Sequence, residues 1–265
     1  MLGHDFNSWG VETHRGWIPP LRRHAACSRL AGRRRRARAG GKESPFTVKE
    51  VGSKPDGGWP LVIAMHGGGG VPKKFNDSQW RHMQIYYKDH PEVGGYLYCA
   101  LRAPTDEWNG FYTDYFYPVL EKLIRQFVVC DDVNPDRVIA IGYSHGGYGA
   151  FAIGPKMPHR FAAVHASASA PTGGQTAPDG LHSLRFSFMV GGKDTAYGRR
   201  ERCEQFAQQL QAGRGGGVSR AQCTCTCPCA CACAHARARC SCACAHAQDV
   251  EVVALVVMVV AILAR

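Results

Sequence analysis

The stretch RVIAIGYSHGGYGAFAIG, residues 137–154, constrains the fold more than any other part of the chain. A short apolar run leads into Gly142-Tyr143-Ser144-His145-Gly146, and a glycine- and alanine-rich segment with helical character follows. An apolar run this continuous fits a strand covered on both faces, as in a parallel sheet. Glycine on either side of Ser144 lets neighbouring backbone approach closely, so strand and helix can meet in a tight turn with the serine at its apex. The start of the following helix favours negative charge.

The same logic extends over residues 45–212. PLVIAMHG, residues 60–67, is a second continuous apolar run. PFTVKEVG alternates like an exposed strand, and GYLYCALRAP, FAAVHASASA and LRFSFMVGG are three further strand candidates. Between them DYFYPVLEKLIRQFVV, GGYGAFAI and RRERCEQFAQQLQ read as helices. Strands alternating with helices predict one α/β unit over 45–212 with a mostly parallel sheet.

The flanks differ in composition. The net charge is +11, but residues 1–44 hold +7 of it, 45–212 only +1, and 213–265 the remaining +3. A nearly neutral centre argues against a globular nucleic-acid-binding surface. Residues 1–44, with RRHAACSRLAGRRRRARAGGK, show no hydrophobic periodicity and no apolar signal core, and are expected to be a disordered basic arm. Nine of thirteen cysteines lie between Cys223 and Cys244. The isolated Cys99, Cys130 and Cys203 suggest small buried hydrophobes rather than a disulfide framework, which favours a cytoplasmic or organellar setting over a secreted one.

Three features carry chemistry. The serine turn is one. HGGGG, His66 to Gly70, is the second: its backbone N–H groups can turn toward a ligand, and acyl transfer needs two such donors on the developing oxyanion. Gly68 or Gly69 supplies one candidate donor and His145, next after the serine, the other. The third is Asp194 in GGKD, fifty residues after Ser144, which can orient an imidazole or simply cap a turn before the next helix. His66, His165 and His182 read as structural or loop histidines. The aromatic-rich segment 102–118 reads as core packing or as the wall of an acyl or aryl pocket.

Taken together, HGGGG, GYSHGGYGAF and GGKD resemble the α/β-hydrolase superfamily. Within it the chain resembles small serine esterases of the dienelactone hydrolase, phospholipase/carboxylesterase and polyhydroxyalkanoate-depolymerase type. NPDRVIAIGYSHGGYGAF is also similar to prolyl-oligopeptidase-like domains. The resemblance covers about residues 45–212. It implies a three-layer α/β sandwich, with Ser144 as nucleophile, Asp194 as triad acid, and oxyanion donors from Gly68 or Gly69 and His145. It also implies an acyl-enzyme route with no metal or cofactor, and a small-molecule or lipid-like ester as substrate.

The pattern breaks after the last helix. The triad histidine should follow Asp194 beyond one more helix and strand, at roughly residues 220–235 by the order of these motifs. There the sequence runs CTCTCPCACACAHARARCSCACAHA. The hydrolase domain is therefore expected to lack its last strand and histidine loop, leaving the triad base unassigned. Cysteine, histidine and arginine alternate with alanine and threonine across most of 223–239, as an alternating purine–pyrimidine DNA repeat would spell. Residues 213–265 accordingly read as translated repeat or intron sequence: a low-complexity tract over 213–248, expected to be disordered, then a short apolar tail over 249–265. The rival reading of the tract, a soft-metal site using His235 and His246, lacks paired C-x2-C spacing. The tail's apolar run is short for a membrane span. The functional alternatives are a non-catalytic binding protein of the same fold and a prolyl-oligopeptidase-like peptidase.

Overall fold

The computed structural model describes residues 35–212, together with the two-residue strand pieces Glu12–Thr13, Gly16–Trp17 and Gln222–Cys223. The main sheet is built from β1 (Arg35–Ala39), β2 (Lys42–Val51), β3 (Trp59–Met65), β4 (Tyr96–Leu101), β5 (Val133–Tyr143), β6 (Ala163–Ser167), β7 (Arg185–Met189) and β8 (Gln222–Cys223). Across the sheet the order is β1-β2-β4-β3-β5-β6-β7-β8. β2 pairs antiparallel with β1 and with β4, and every other pairing is parallel.

Four helices flank the sheet: α1 (Lys73–Tyr86), α2 (Phe116–Cys130), α3 (His145–Lys156) and α4 (Arg199–Ala212). Alternate strand residues serve opposite faces. Leu61, Ile63 and Met65 of β3 share one core cluster with Phe116, Leu120 and Leu123 of α2, Phe151 of α3 and Phe206 of α4. Val62 and Ala64 of the same strand join Trp80 and Met83 of α1 in the other. This is a three-layer α/β sandwich; strands β3 and β4 are buried on both faces as their continuous apolar sequences require, and β6 is equally buried with His165 and Ser167 among its residues. Because β3, β5, β6 and β7 run parallel, the segments leaving them emerge at one edge of the sheet.

Three expectations need correcting. The boundary at residues 44 and 45 cuts through a hairpin, because Arg35–Ala39 pairs with Lys42–Phe46. A period-2 pattern was hidden under the basic composition: Ala37 and Ala39 point inward while Arg36 and Arg38 face solvent. Arg35 anchors this edge, donating to both carboxylate oxygens of Asp131 at 3.1 and 2.7 Å, with its guanidinium 5.3 Å from the Phe127 ring centre. Second, the edge expected to lack a last strand carries a two-residue one, Gln222 and Cys223 pairing with Ser187 and Phe188 of β7. Third, Cys99 and Cys203 are buried thiols outside any disulfide, but Cys130 is disulfide-bonded. The remainder of the arm and of residues 213–265, including His235 and His246, lies outside the described residues.

Candidate active site

Ser144 sits between β5 and α3 at φ 51°, ψ −111°. A residue with a Cβ avoids positive φ, at a cost of about 1–3 kcal/mol. The surroundings hold it there. Its N–H donates to the Ser167 carbonyl at 2.9 Å, and its own carbonyl accepts the Tyr148 N–H at 3.0 Å. Gly146 donates its N–H to the His66 carbonyl at 2.9 Å, tying the start of α3 to the end of β3. Both flanking glycines are sterically required. A Cβ at Gly142 would lie 2.0 Å from the Gly146 carbonyl oxygen, and one at Gly146 would lie 2.2 Å from that of Met65.

The glycine loop after β3 packs on this turn, with Gly67 against Ser144. His66 is structural. Its Nδ1 lies 2.6 Å from the Gly67 carbonyl and its Nε2 accepts the Ala103 N–H at 3.1 Å, which assigns the neutral Nδ1–H tautomer. Burial pushes its pKa down to about 3. Gly68 and Gly69 both adopt positive φ, 103° and 76°. The Gly69 N–H donates to Asn76 Oδ1 at 2.8 Å, and Asn76 Nδ2 donates in turn to Asp106 at 2.9 Å. Of the two predicted glycine donors, Gly69 is thus already engaged. The N–H groups of Gly68 and His145 have no acceptor among the described residues.

Asp194 follows β7, but no histidine meets it among the described residues. Its Oδ1 accepts the Ala196 N–H at 3.0 Å and its Oδ2 pairs with Arg199 at 3.2 Å. Among the described residues Asp194 thus closes a local turn and pairs with a guanidinium. The candidate histidines lie elsewhere. His165 is in the middle of β6, buried, with Nδ1 2.8 Å from Ser187 Oγ, and burial pushes its pKa to about 4. His182 is half exposed beside Asp179. The His145 ring is buried among Phe111, Trp108 and His66, with centroids 5.0, 5.9 and 6.3 Å away. Burial lowers its pKa to about 4, offset in part by the Trp108 backbone.

Beside the turn lies a cleft of about 240 Å³, lined by Trp108, Tyr112, Tyr148, Thr172, Tyr197 and Arg202. Ser144 is not part of this lining, but Tyr148 is one helical turn beyond it. The aromatic segment divides as its two readings allowed: Phe111 and Phe116 are fully buried core, whereas Trp108 and Tyr112 face the cleft. Tyr197 and Arg202 had no sequence signal, because they meet the cleft only through the fold of the segment after β7. Among the described residues no group of three or more His, Cys, Asp or Glu side chains converges as a metal site.

No protein-family model matches the chain, and neither does any curated protein sequence. Solved structures do. A thermostable esterase is 20% identical with a TM-score of 0.50, matching 69% of this chain and 51% of its own. The poly(3-hydroxybutyrate) depolymerase LpqC from Bordetella parapertussis is 17% identical with a TM-score of 0.52, over 73% of this chain and 84% of its own. The enterobactin esterase FES from Shigella flexneri, solved with enterobactin, is 14% identical with a TM-score of 0.53, over 76% and 57%. The chain spans about half the length of the first of these. At such identities the likeness is one of fold.

Proposed function

The chain has the α/β-hydrolase fold, and from it we propose a serine hydrolase acting on carboxylic esters through an acyl-enzyme on Ser144. The observation that carries this is the strained turn: a non-glycine residue at φ 51° at the exit of β5, braced by three backbone hydrogen bonds. Strain of this kind persists where the surroundings over-determine it, and such residues cluster at active sites. Ser144 Oγ attacks the ester carbonyl, and the oxyanion that forms is received by the N–H groups of His145 and Gly68. Gly69 instead orients the loop through Asn76. The alcohol leaves, and water releases the acyl group.

Asp194 is proposed as the triad acid, with a base that the described residues do not supply to it. The chain is accordingly proposed to be impaired. With oxyanion donors and binding alone, the residual acceleration is about 10³–10⁴-fold over water. The engagement of Asp194 by Arg199 and Ala196 also supports a second reading, a binding protein that keeps the fold without the chemistry. Small-molecule or lipid-like esters are the proposed ligands; no helix among the described residues is long and apolar enough to cross a membrane.

A fluorophosphonate probe separates the two readings. Covalent labelling of the wild type that is lost in Ser144→Ala supports the hydrolase. Labelling is expected to be slow for a serine without its base, so absence of labelling in a folded wild-type protein even on prolonged exposure to excess probe supports the binding protein.

A further inference from the structure

The cleft beside the serine turn has walls, a size and a charge that together define a ligand. Trp108 lies 5.4 Å from Tyr148 and 5.6 Å from Tyr197, ring centre to ring centre. Tyr197 is 68% exposed and sits at φ 56°, ψ 22°, a left-handed conformation that bulky residues avoid. Arg199 clamps it: the guanidinium is 5.2 Å from the Tyr197 ring centre and 5.7 Å from that of Tyr148. Tyr197 thus keeps much of its ring exposed while lying beside Trp108 at the cleft.

Size narrows the occupant. An apolar cavity of about 150 Å³ accommodates benzene. The 240 Å³ here is room for one ring with a short substituent, with the rest of a longer ligand left toward solvent. Charge narrows it further. Arg199 is matched by Asp194. Arg202 donates to the Pro171 carbonyl at the cleft, and among the described residues no carboxylate matches its charge. A guanidinium receives a carboxylate better than any other common group, through paired N–H···O bonds.

We propose that this cleft binds an aryl ring bearing a carboxylate, with the ring against Trp108, Tyr148 and Tyr197 and the carboxylate on Arg202. If Ser144 is the nucleophile, as proposed above, the ring belongs to an ester presented to it, since Tyr148 lies one turn along α3 from the serine. The recognition itself does not depend on that reading.

The test is calorimetric titration in the Ser144→Ala background, which keeps ester probes intact. Three probes separate ring from charge: 4-methoxycarbonylbenzoate carries both, methyl benzoate only the ring, and monomethyl adipate only the carboxylate. The first should bind at least tenfold tighter than either of the others. Arg202→Gln should bring it down to the level of methyl benzoate and leave methyl benzoate unchanged. Trp108→Ala should weaken both aromatic probes, with circular dichroism verifying that each variant is folded. Affinities of the three probes within threefold of one another, or a preference that survives Arg202→Gln, would overturn the proposal. Fluorophosphonate labelling without this selectivity sinks the cleft assignment alone. Selectivity without labelling sinks the hydrolase reading alone.

Discussion

Gly146→Ala should be among the most damaging single-methyl additions in this chain, and the structure allows its cost to be sized. The new Cβ would stand 2.2 Å from the Met65 carbonyl oxygen and 2.6 Å from Met65 Cβ. Ordinary contact is about 3.5 Å, so α3 and the end of β3 must separate by more than an ångström. Neither side yields easily. Met65 lies in a strand paired on both sides, and the Gly146 N–H is bonded to the His66 carbonyl. Overpacking typically costs 1–3 kcal/mol, and a backbone clash belongs at the upper end, about 3 kcal/mol. For a domain the size of residues 35–212, that lowers Tm by roughly 6–12 °C. The control is Gly173→Ala, where nothing lies within 4 Å of the added Cβ and the shift should stay within about 0.5 kcal/mol. Urea unfolding of the two variants decides the matter. Equal stabilities, or a loss below about 1 kcal/mol at Gly146, would refute the close-approach argument for the serine turn.

Three further outcomes are expected. Ser144→Gly should abolish fluorophosphonate labelling yet stabilise the fold by about 1–2 kcal/mol, since glycine relieves the positive φ; denaturant midpoints read this directly. His66, His145 and His165 are buried with pKa values pushed down to about 3, 4 and 4, so the unfolded chain takes up protons below its ordinary histidine pKa while the folded one does not. Stability should therefore be full at neutral pH and fall as pH drops from about 6.5 toward 4, by about 1.4 kcal/mol per unit for each titrating histidine; a flat Tm between pH 7 and 5 would contradict this. A chain starting at residue 45 should be less stable to urea than one starting at residue 35, because it loses the Arg35–Asp131 pair and leaves β2 as an unpaired edge.

The parts of the fold legible in the sequence are those where one physical demand dominates. β3 and the second half of β5 are covered on both faces, so their residues are continuously apolar and stand out from the turns around them. α1 is different. It buries only Asn76, Trp80 and Met83, a stripe too thin and too polar to stand out from a loop. β1 is illegible for the opposite reason: its buried stripe is only Ala37 and Ala39, two small side chains set between arginines whose charge dominates the segment. Cys130 carries no local mark of its bond, because pairing depends on what the fold brings near.

The candidate site divides along the same line. Ser144 and its glycines were legible because backbone crowding between β3, β5 and α3 leaves no alternative residue type, and that crowding is local. Donor availability was not. The Gly69 N–H is taken by Asn76, a residue of the helix that the sequence did not reveal, so Gly68 and Gly69 looked equivalent. GGKD reads the same whether an imidazole or a guanidinium meets Asp194. Arg199, five residues on, meets it here while also holding Tyr197 over the cleft. The serine turn is braced by Met65, His66 and Ser167, all in strands of the central sheet or next to them, and none of that bracing passes through Asp194. Turn geometry and triad completeness are therefore independent properties of this chain. A strained serine attests to the fold that holds it, and only the reactivity of Ser144 itself distinguishes a nucleophile from a relic of one.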